Sequence, residues 1–166
     1  MKTEYPRTAQ AGETLDLTEE VRRAAEGARG AAQAKGISIV AAPPGDEPNL
    51  ISGDAHHLSR AFGNLLENAL RHTPPKGSIV VRCWPEGDRV IVIVRDTGSG
   101  FAPEDLPRIF EPLYRGESSR SRDTGGAGLG LAIARRIFRA HGGDLTAANR
   151  TEGGAELRGW IPSSRV

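Results

Sequence analysis

The stretch Ala55-His56-His57-Leu58-Ser59-Arg60-Ala61-Phe62-Gly63-Asn64-Leu65-Leu66-Glu67-Asn68-Ala69-Leu70-Arg71 combines an apolar stripe with a line of asparagines. Leu58, Phe62, Leu65, Leu66 and Ala69 recur at 3.6-residue spacing and predict an amphipathic helix with one core face. Asp54, just before it, carries the short acceptor side chain that caps a helix N-terminus. Asn64 and Asn68 are four apart and Arg71 lies three further on. All three project along one side, turned by more than ~90° from the centre of the apolar stripe. A line of this kind is commonly just a solvated face. Asparagine is a poor helix former, however, so two of them among good formers point to amides with specific partners. An amide oxygen can ligate a hard cation such as Mg2+, and an arginine at the next turn can meet a phosphate.

Downstream, Ser78 to Trp84 and Arg89 to Arg95 read as two antiparallel strands joined by the turn residues Pro85-Glu86-Gly87-Asp88. Val90 to Val94 is apolar on both parities, which predicts a central strand covered on both faces or nearly so. Pro103 to Phe110 suggests one or two short helical turns, and Arg115 to Gly126 has the composition of a mobile loop. Ala127 to His141 reads as a second strongly apolar helix, stopped by Gly142-Gly143, and Asp144 to Asn149 with Ala155 to Ile161 as a closing hairpin. Upstream, Thr18 to Lys35 reads as a helix ended by Gly36, followed by a half-buried strand at Ile37-Ser38-Ile39-Val40. Pro43-Pro44-Gly45-Asp46 makes a loop before a short extended piece near Leu50-Ile51. Residues 1–14 read as a flexible tail or linker remnant, with the domain proper over 15–166.

At 166 residues the chain has the length of one domain, and a net charge of +1 argues against broad attraction to nucleic acid or an anionic membrane. No apolar run approaches the roughly 20 residues of a membrane span. The N-terminus lacks a signal-peptide core, and Cys83 alone cannot form an internal disulfide. These features lead us to expect a cytoplasmic domain without direct membrane contact. Among the 21 glycines two clusters stand out, Gly98/Gly100 and Gly125 to Gly130. Asp96-Thr97-Gly98-Ser99-Gly100 sets a carboxylate at a strand end beside two permissive residues; it would accept from an exocyclic amine such as N6 of adenine and repel O6 of guanine. Gly125-Gly126-Ala127-Gly128-Leu129-Gly130-Leu131 leads into a helix, an arrangement in which backbone N–H groups and the helix dipole can cradle phosphate.

Taken in order, Asn64 to Ala69, Asp96 to Gly100, Phe110-Glu111-Pro112-Leu113-Tyr114-Arg115 and Gly126 to Leu131 resemble the four motif boxes of the catalytic ATP-binding domain of bacterial sensor histidine kinases. The resemblance covers Leu15 to Pro162, including His141-Gly142-Gly143. It implies the two-layer α/β (α+β) sandwich shared with gyrase, Hsp90 and MutL ATPases. There, helices cover one face of a mixed, mostly antiparallel sheet, and ATP lies between helices and a lid, here at about 111–126. By position, Asn68 resembles the Mg2+-ligating amide, Asn64 its support, and Arg71 and His72 residues that approach the phosphates. Asp96 resembles the adenine-selecting carboxylate, with Gly98 and Gly100 shaping its pocket. Gly126, Gly128, Leu129 and Gly130 resemble the lid hinge and phosphate cradle. The same likeness gives Phe110 and Tyr114 as lid anchors and Arg115 as a γ-phosphate contact. Ala155-Glu156 departs from the family, many members of which carry Thr there, so a hydroxyl contact near Asp96 is not expected.

The family donates the γ-phosphoryl group to a histidine on a separate dimerising helical hairpin, within a His-Glu/Asp-x-x-x-Pro context. None of His56, His57, His72 and His141 sits in that context. The resemblance therefore implies ATP and Mg2+ as ligands, and a dimerisation and phosphoacceptor domain as partner, in the parent protein or in trans. A response regulator would be served indirectly, nucleic acid would not be bound, and the chain would not label itself. Glu67 is a candidate to polarise the incoming imidazole. The alternative is a stand-alone ATPase or anti-sigma-type serine kinase. Those relatives place Glu where this chain has Asn64, which favours the histidine kinase.

Overall fold

The computed structural model describes residues 12–41, 47–112 and 129–164. Its elements are β1 (Glu13–Asp16), α1 (Leu17–Lys35), β2 (Ser38–Ala41), β3 (Leu50–Gly53), α2 (Ala55–His72), β4 (Ser78–Glu86), β5 (Arg89–Asp96), α3 (Gly130–Ala140), β6 (Asp144–Asn149) and β7 (Ala155–Pro162), with a 3-10 turn at Leu106–Arg108. The apolar stripe of α2 is buried as its spacing requires: Leu58, Phe62, Leu65, Leu66 and Ala69 all join one core. Asp54 caps the helix by accepting the His57 N–H at 2.9 Å. The α1 helix begins one residue earlier than its sequence pattern indicates because Asp16 serves as N-cap, accepting from the N–H of Thr18 and also from that of Asn49.

Five strands form one sheet in the order β2-β4-β5-β7-β6, in which β2 and β4 are parallel and every other pair antiparallel. Strand alternation puts Val90, Val92 and Val94 of β5 on the face that joins α1, α2 and α3 in the core, with Ile79 and Val81 of β4 and Leu157 and Ile161 of β7. Phe138 of α3 packs edge-on to Phe62 of α2 with ring centroids 5.9 Å apart, closing the helical layer. This is the expected two-layer sandwich with a mixed, mostly antiparallel sheet.

The opposite face of β5 is also buried, without a second helical layer among the described residues. Ile91 and Ile93 are each 1% exposed. Their cover comes from neighbouring strands: Trp84 and Trp160 pair across from Ile91, and Arg82 and Arg158 from Ile93. Arg89 lies 5.0 Å over the Trp160 ring and Arg158 5.7 Å over Trp84, with Arg158 paired to Glu86 at 3.3 Å. The apolar stems and flat rings keep water from the isoleucines while the charged ends stay wet.

Three details differ from the sequence expectation, the first being that α3 starts at Gly130, with Leu129 as its boundary residue, rather than at Ala127. Glu13–Asp16, in and beside the expected tail, pairs with Leu50–Gly53 as a small antiparallel ribbon, whose polar sequence gave no alternation to read. Pro85 lies inside β4 rather than in the turn, which contracts to Gly87-Asp88. β2 pairs with β4 only as far as Val81, so Pro85 sits where the strand has lost its second neighbour and its missing N–H is tolerated.

His141 locks the far ends of α2 and α3 together. It is 5% exposed, its Nε2 accepts from the Asp54 N–H at 3.1 Å, and Nδ1 lies 2.8 Å from the Ile137 carbonyl. A backbone N–H can only donate, so Nε2 carries no proton and the ring is neutral, with Nδ1–H donating to Ile137. Burial holds the His141 pKa below the ordinary histidine value, with the proximity of His57 adding to it against the Ile137 bond and Asp54. His72 is likewise depressed, by burial first and then by Arg71. A depressed histidine pKa means that the unfolded chain takes up protons first. This part of the stability is therefore full above the ordinary value of 6.5 and is lost as pH falls below it. We expect the melting temperature to fall by a few degrees between pH 7.5 and 5.5, and the slope to flatten in His141→Gln. Parallel pH profiles for parent and variant would contradict this.

Candidate functional site

Asp96 ends β5 on the same parity as Val90, Val92 and Val94, so alternation alone delivers its carboxylate to the helical side of the sheet. It is 4% exposed. Oδ1 accepts the N–H of Gly98 at 2.8 Å and that of Ala155 at 3.2 Å, while Oδ2 has no partner among the described residues. One oxygen is thus spent on orientation and the other is open to a donor from a ligand. At Ala155, where a hydroxyl contact was not expected, it is the backbone N–H that meets the carboxylate. The Asp96 carbonyl is held separately, by Arg150 Nη1 at 2.8 Å.

The 97–101 loop is pressed close to its surroundings. A Cβ on Gly98 would collide with the carbonyl of His72 and approach Asp96 Oδ1 at 3.1 Å, and one on Gly154 would collide with the Asp96 carbonyl. The first of these is backbone that cannot rotate away. Gly98→Ala is therefore expected to lower stability by about 1–3 kcal/mol and to weaken any ligand bound through Asp96. Thermal melting and ligand titration of the variant check this, and unchanged values in both would refute it.

His72, Arg71 and Gly98 line one open cleft of about 510 Å³, together with Lys35, Thr73, Pro74, Thr97 and Ser99. Lys35 reaches from the end of α1 to the last turn of α2, donating to the Leu70 carbonyl at 2.7 Å and to that of Arg71 at 3.3 Å. It satisfies carbonyls that the helix end leaves open and adds positive charge at the negative pole. Arg71 pairs with the exposed Glu67 at 3.2 Å. The His72 ring lies 6.2 Å from that of Phe101, tilted by 59°.

Two turns earlier on α2, Asn64 donates Nδ2 to the Gly130 carbonyl at 3.1 Å, tying the helix to the first turn of α3. Asn68 is half-buried and has no side-chain partner among the described residues. Leu129, 39% exposed, is the N-terminal boundary residue of α3. Phe110 packs against the core with the Arg135 guanidinium 4.8 Å over its ring, and Arg135 continues to Asp144 at 3.1 Å. Tyr114, Arg115, Gly126, Gly128 and nearly all of the expected lid lie outside the described residues. Among the described residues, no group of three or more His, Cys, Asp or Glu could hold a metal, so a Mg2+ ion here would rest on few protein oxygens. An open amide oxygen on Asn68 fits that pattern, since Mg2+ commonly takes one or two protein ligands and fills its shell with water and phosphate.

Three residues of this region escaped sequence reading. Asn149 and Arg150, at the end of β6, brace the loop after Asp96, and Lys35 borders the cleft. Only the packing of the last hairpin against β5 reveals the first two. A lysine in the last turn of a predicted helix is a charge-dipole signal that pointed to its own helix rather than to the next one.

Comparison with known proteins agrees with this geometry. The family described as histidine kinase-, DNA gyrase B- and HSP90-like ATPase matches residues 53–165. The sensor histidine kinase CusS of Escherichia coli O157:H7 is 41% identical over 139 residues, 84% of this chain and 28% of that protein. The sensor protein SphS of Synechococcus elongatus is 43% identical over 125 residues, 71% of this chain and 30% of that protein. Among solved structures, a mycobacterial sensor histidine kinase, MprB, superposes with a TM-score of 0.79 at 28% identity, over 93% of this chain and all of that one. Full-length ShkA in complex with AMPPNP gives 0.80 at 30% identity, over 94% of this chain and 32% of that one. The chain thus spans less than a third of the curated relatives named here. No helix among the described residues is long and apolar enough to cross a membrane.

Proposed function

Because the chain belongs to the histidine kinase-, DNA gyrase B- and HSP90-like ATPase family, we propose that it binds ATP with Mg2+ and passes the γ-phosphoryl group to a histidine on a separate dimerising domain. The observation that carries this is the Asp96 carboxylate, buried, fixed through one oxygen by two backbone N–H groups and open at the other. A carboxylate so held accepts from the N6 amine of adenine and disfavours guanine, whose O6 is also an acceptor. From His72, beside Gly98, α2 runs back eight residues to Asn64, about 12 Å at 1.5 Å per residue. That length suits a nucleotide whose base sits at Asp96 and whose phosphates pass Arg71 and His72 toward Asn64, Asn68 and the glycine-rich entry to α3.

In this reading Asn68 offers an amide oxygen to Mg2+, and the ion supplies charge neutralisation to the phosphates when bound. Asn64 holds α3 against α2 through Gly130, and Arg71 adds a positive charge where negative charge gathers. The acceptor imidazole nitrogen forms a bond to the γ-phosphorus as the bond from that phosphorus to the β,γ-bridging oxygen breaks, and ADP leaves. In this reading Glu67, exposed and paired with Arg71, polarises the incoming imidazole. The chemistry asks for positioning and electrostatic balance more than for a strong base. Asn64 also favours the histidine kinase over the hydrolase alternative, because an amide cannot act as a base for an attacking water as a carboxylate could, and its nitrogen is bonded to the Gly130 carbonyl.

The parent protein would work on the cytoplasmic side, with a response regulator taking the phosphoryl group from the histidine afterwards. Mixing the chain with isolated acceptor hairpins and γ-labelled ATP·Mg2+ tests the proposal. Label is expected on a hairpin histidine and none on the chain alone. ADP binding without transfer to any of a panel of hairpins would favour a nucleotide-driven regulatory module instead.

A further inference from the structure

The end of the β6–β7 hairpin grips the 96–101 segment at both of its ends. At the first, the Ala155 N–H bonds the Asp96 carboxylate and Arg150 bonds the Asp96 carbonyl, while the Arg150 N–H donates to Gly154 and closes the hairpin. At the second, the Asn149 side chain bonds Phe101 twice: Nδ2 donates to the Phe101 carbonyl and Oδ1 accepts its N–H, both at 2.7 Å. One amide thus presents to Phe101 the donor and acceptor that a neighbouring strand would present. Asn149 is exposed, where water alone would satisfy an amide, so two short bonds to a single residue are a specific use of it. The fit is close. Gly100 has φ +74, and a Cβ there would lie 2.8 Å from Asn149 Oδ1. The Phe101 ring in turn lies 6.2 Å from that of His72, and His72 lines the cleft.

Resting on the ATP reading above, we propose that Asn149 is a positioning residue for base recognition. By fastening Phe101 while its neighbours fasten Asp96, it fixes the loop between them, which carries the cleft residues Thr97, Gly98 and Ser99, and the ring that backs His72, before the nucleotide arrives. Binding then orders less of the protein.

The test uses the 166-residue chain with Asn149→Ala and Asn149→Asp. The aspartate keeps the size and the acceptor for the Phe101 N–H but sets a carboxylate oxygen against the Phe101 carbonyl. For both we expect ADP affinity to fall about tenfold, on the scale of one lost pre-organising contact. The preference for ADP over GDP, read by competition, should shrink by a similar factor, the Phe101 amide should exchange faster, and melting should move by no more than a few degrees. A purely structural role would leave the ADP-to-GDP preference where it was. Unchanged ADP affinity and preference in both variants would overturn the proposal, as would an equal loss for ADP and GDP accompanied by a large drop in melting temperature. Should the alanine variant fail to fold, the aspartate variant carries the same readouts. Absence of ADP binding by the parent chain would sink the ATP reading itself, whereas parent binding with unaltered variants sinks only this inference.

Discussion

Asp96→Asn should lower the affinity for ADP by about a hundredfold, as expected for losing a charged hydrogen bond and meeting a donor with a donor. The variant is informative because it spares the fold. Asparagine retains an oxygen where Oδ1 accepts the N–H groups of Gly98 and Ala155, so the loop stays anchored and melting changes little. What changes is the outward atom. The open Oδ2 becomes an NH2 group, which would face the amine of adenine without an acceptor to offer. The same exchange should improve GDP relative to ADP, since an NH2 group can donate to O6. Calorimetry with both nucleotides measures this, and an affinity for ADP equal to that of the parent chain would remove Asp96 from base recognition.

Asn68→Ala is expected to slow transfer from ATP·Mg2+ to an acceptor hairpin by about a hundredfold, the scale of removing one electrostatic contact to a reacting centre. Its effect should separate from that of Asp96 by metal dependence. ADP titrated in the presence of a chelator should bind parent and variant alike, and the gap should open as Mg2+ is added. Asn68 has no side-chain partner among the described residues, so truncation strands no protein group and the fold should tolerate it. A variant with parental transfer rates at saturating Mg2+ would refute the ligand role.

The parts of the fold that depend on local periodicity were legible in the sequence. The stripe from Leu58 to Ala69, the Asp54 cap and the hairpin spanning Asp144 to Ile161 appear within a residue of where their patterns place them. The candidate site residues stood out in the sequence as well, because asparagines are poor helix formers and Asp96 ends an apolar strand just ahead of two glycines; the structure gives Asn64 a partner in Gly130 and leaves Asn68 open. What escaped depends on distant packing. Asn149 and Phe101 are 48 residues apart, and neither one's neighbours signal that an amide will complete the other's backbone bonds. The burial of Ile91 and Ile93 was expected from the doubled apolar pattern, but its cover was not: a second layer and a lattice of Trp and Arg side chains read alike from β5 alone. The polar β1 ribbon carried no periodic signal.

That lattice has a practical consequence. The chain contains two tryptophans, Trp84 and Trp160, and both lie on the side of the sheet away from the helices, each beneath an arginine. The intrinsic emission of the protein therefore originates behind the sheet. It should follow the loss of the fold closely and respond weakly to nucleotide entering the opposite side, which makes it a clean optical probe for the melting curves proposed above and a poor one for titrations.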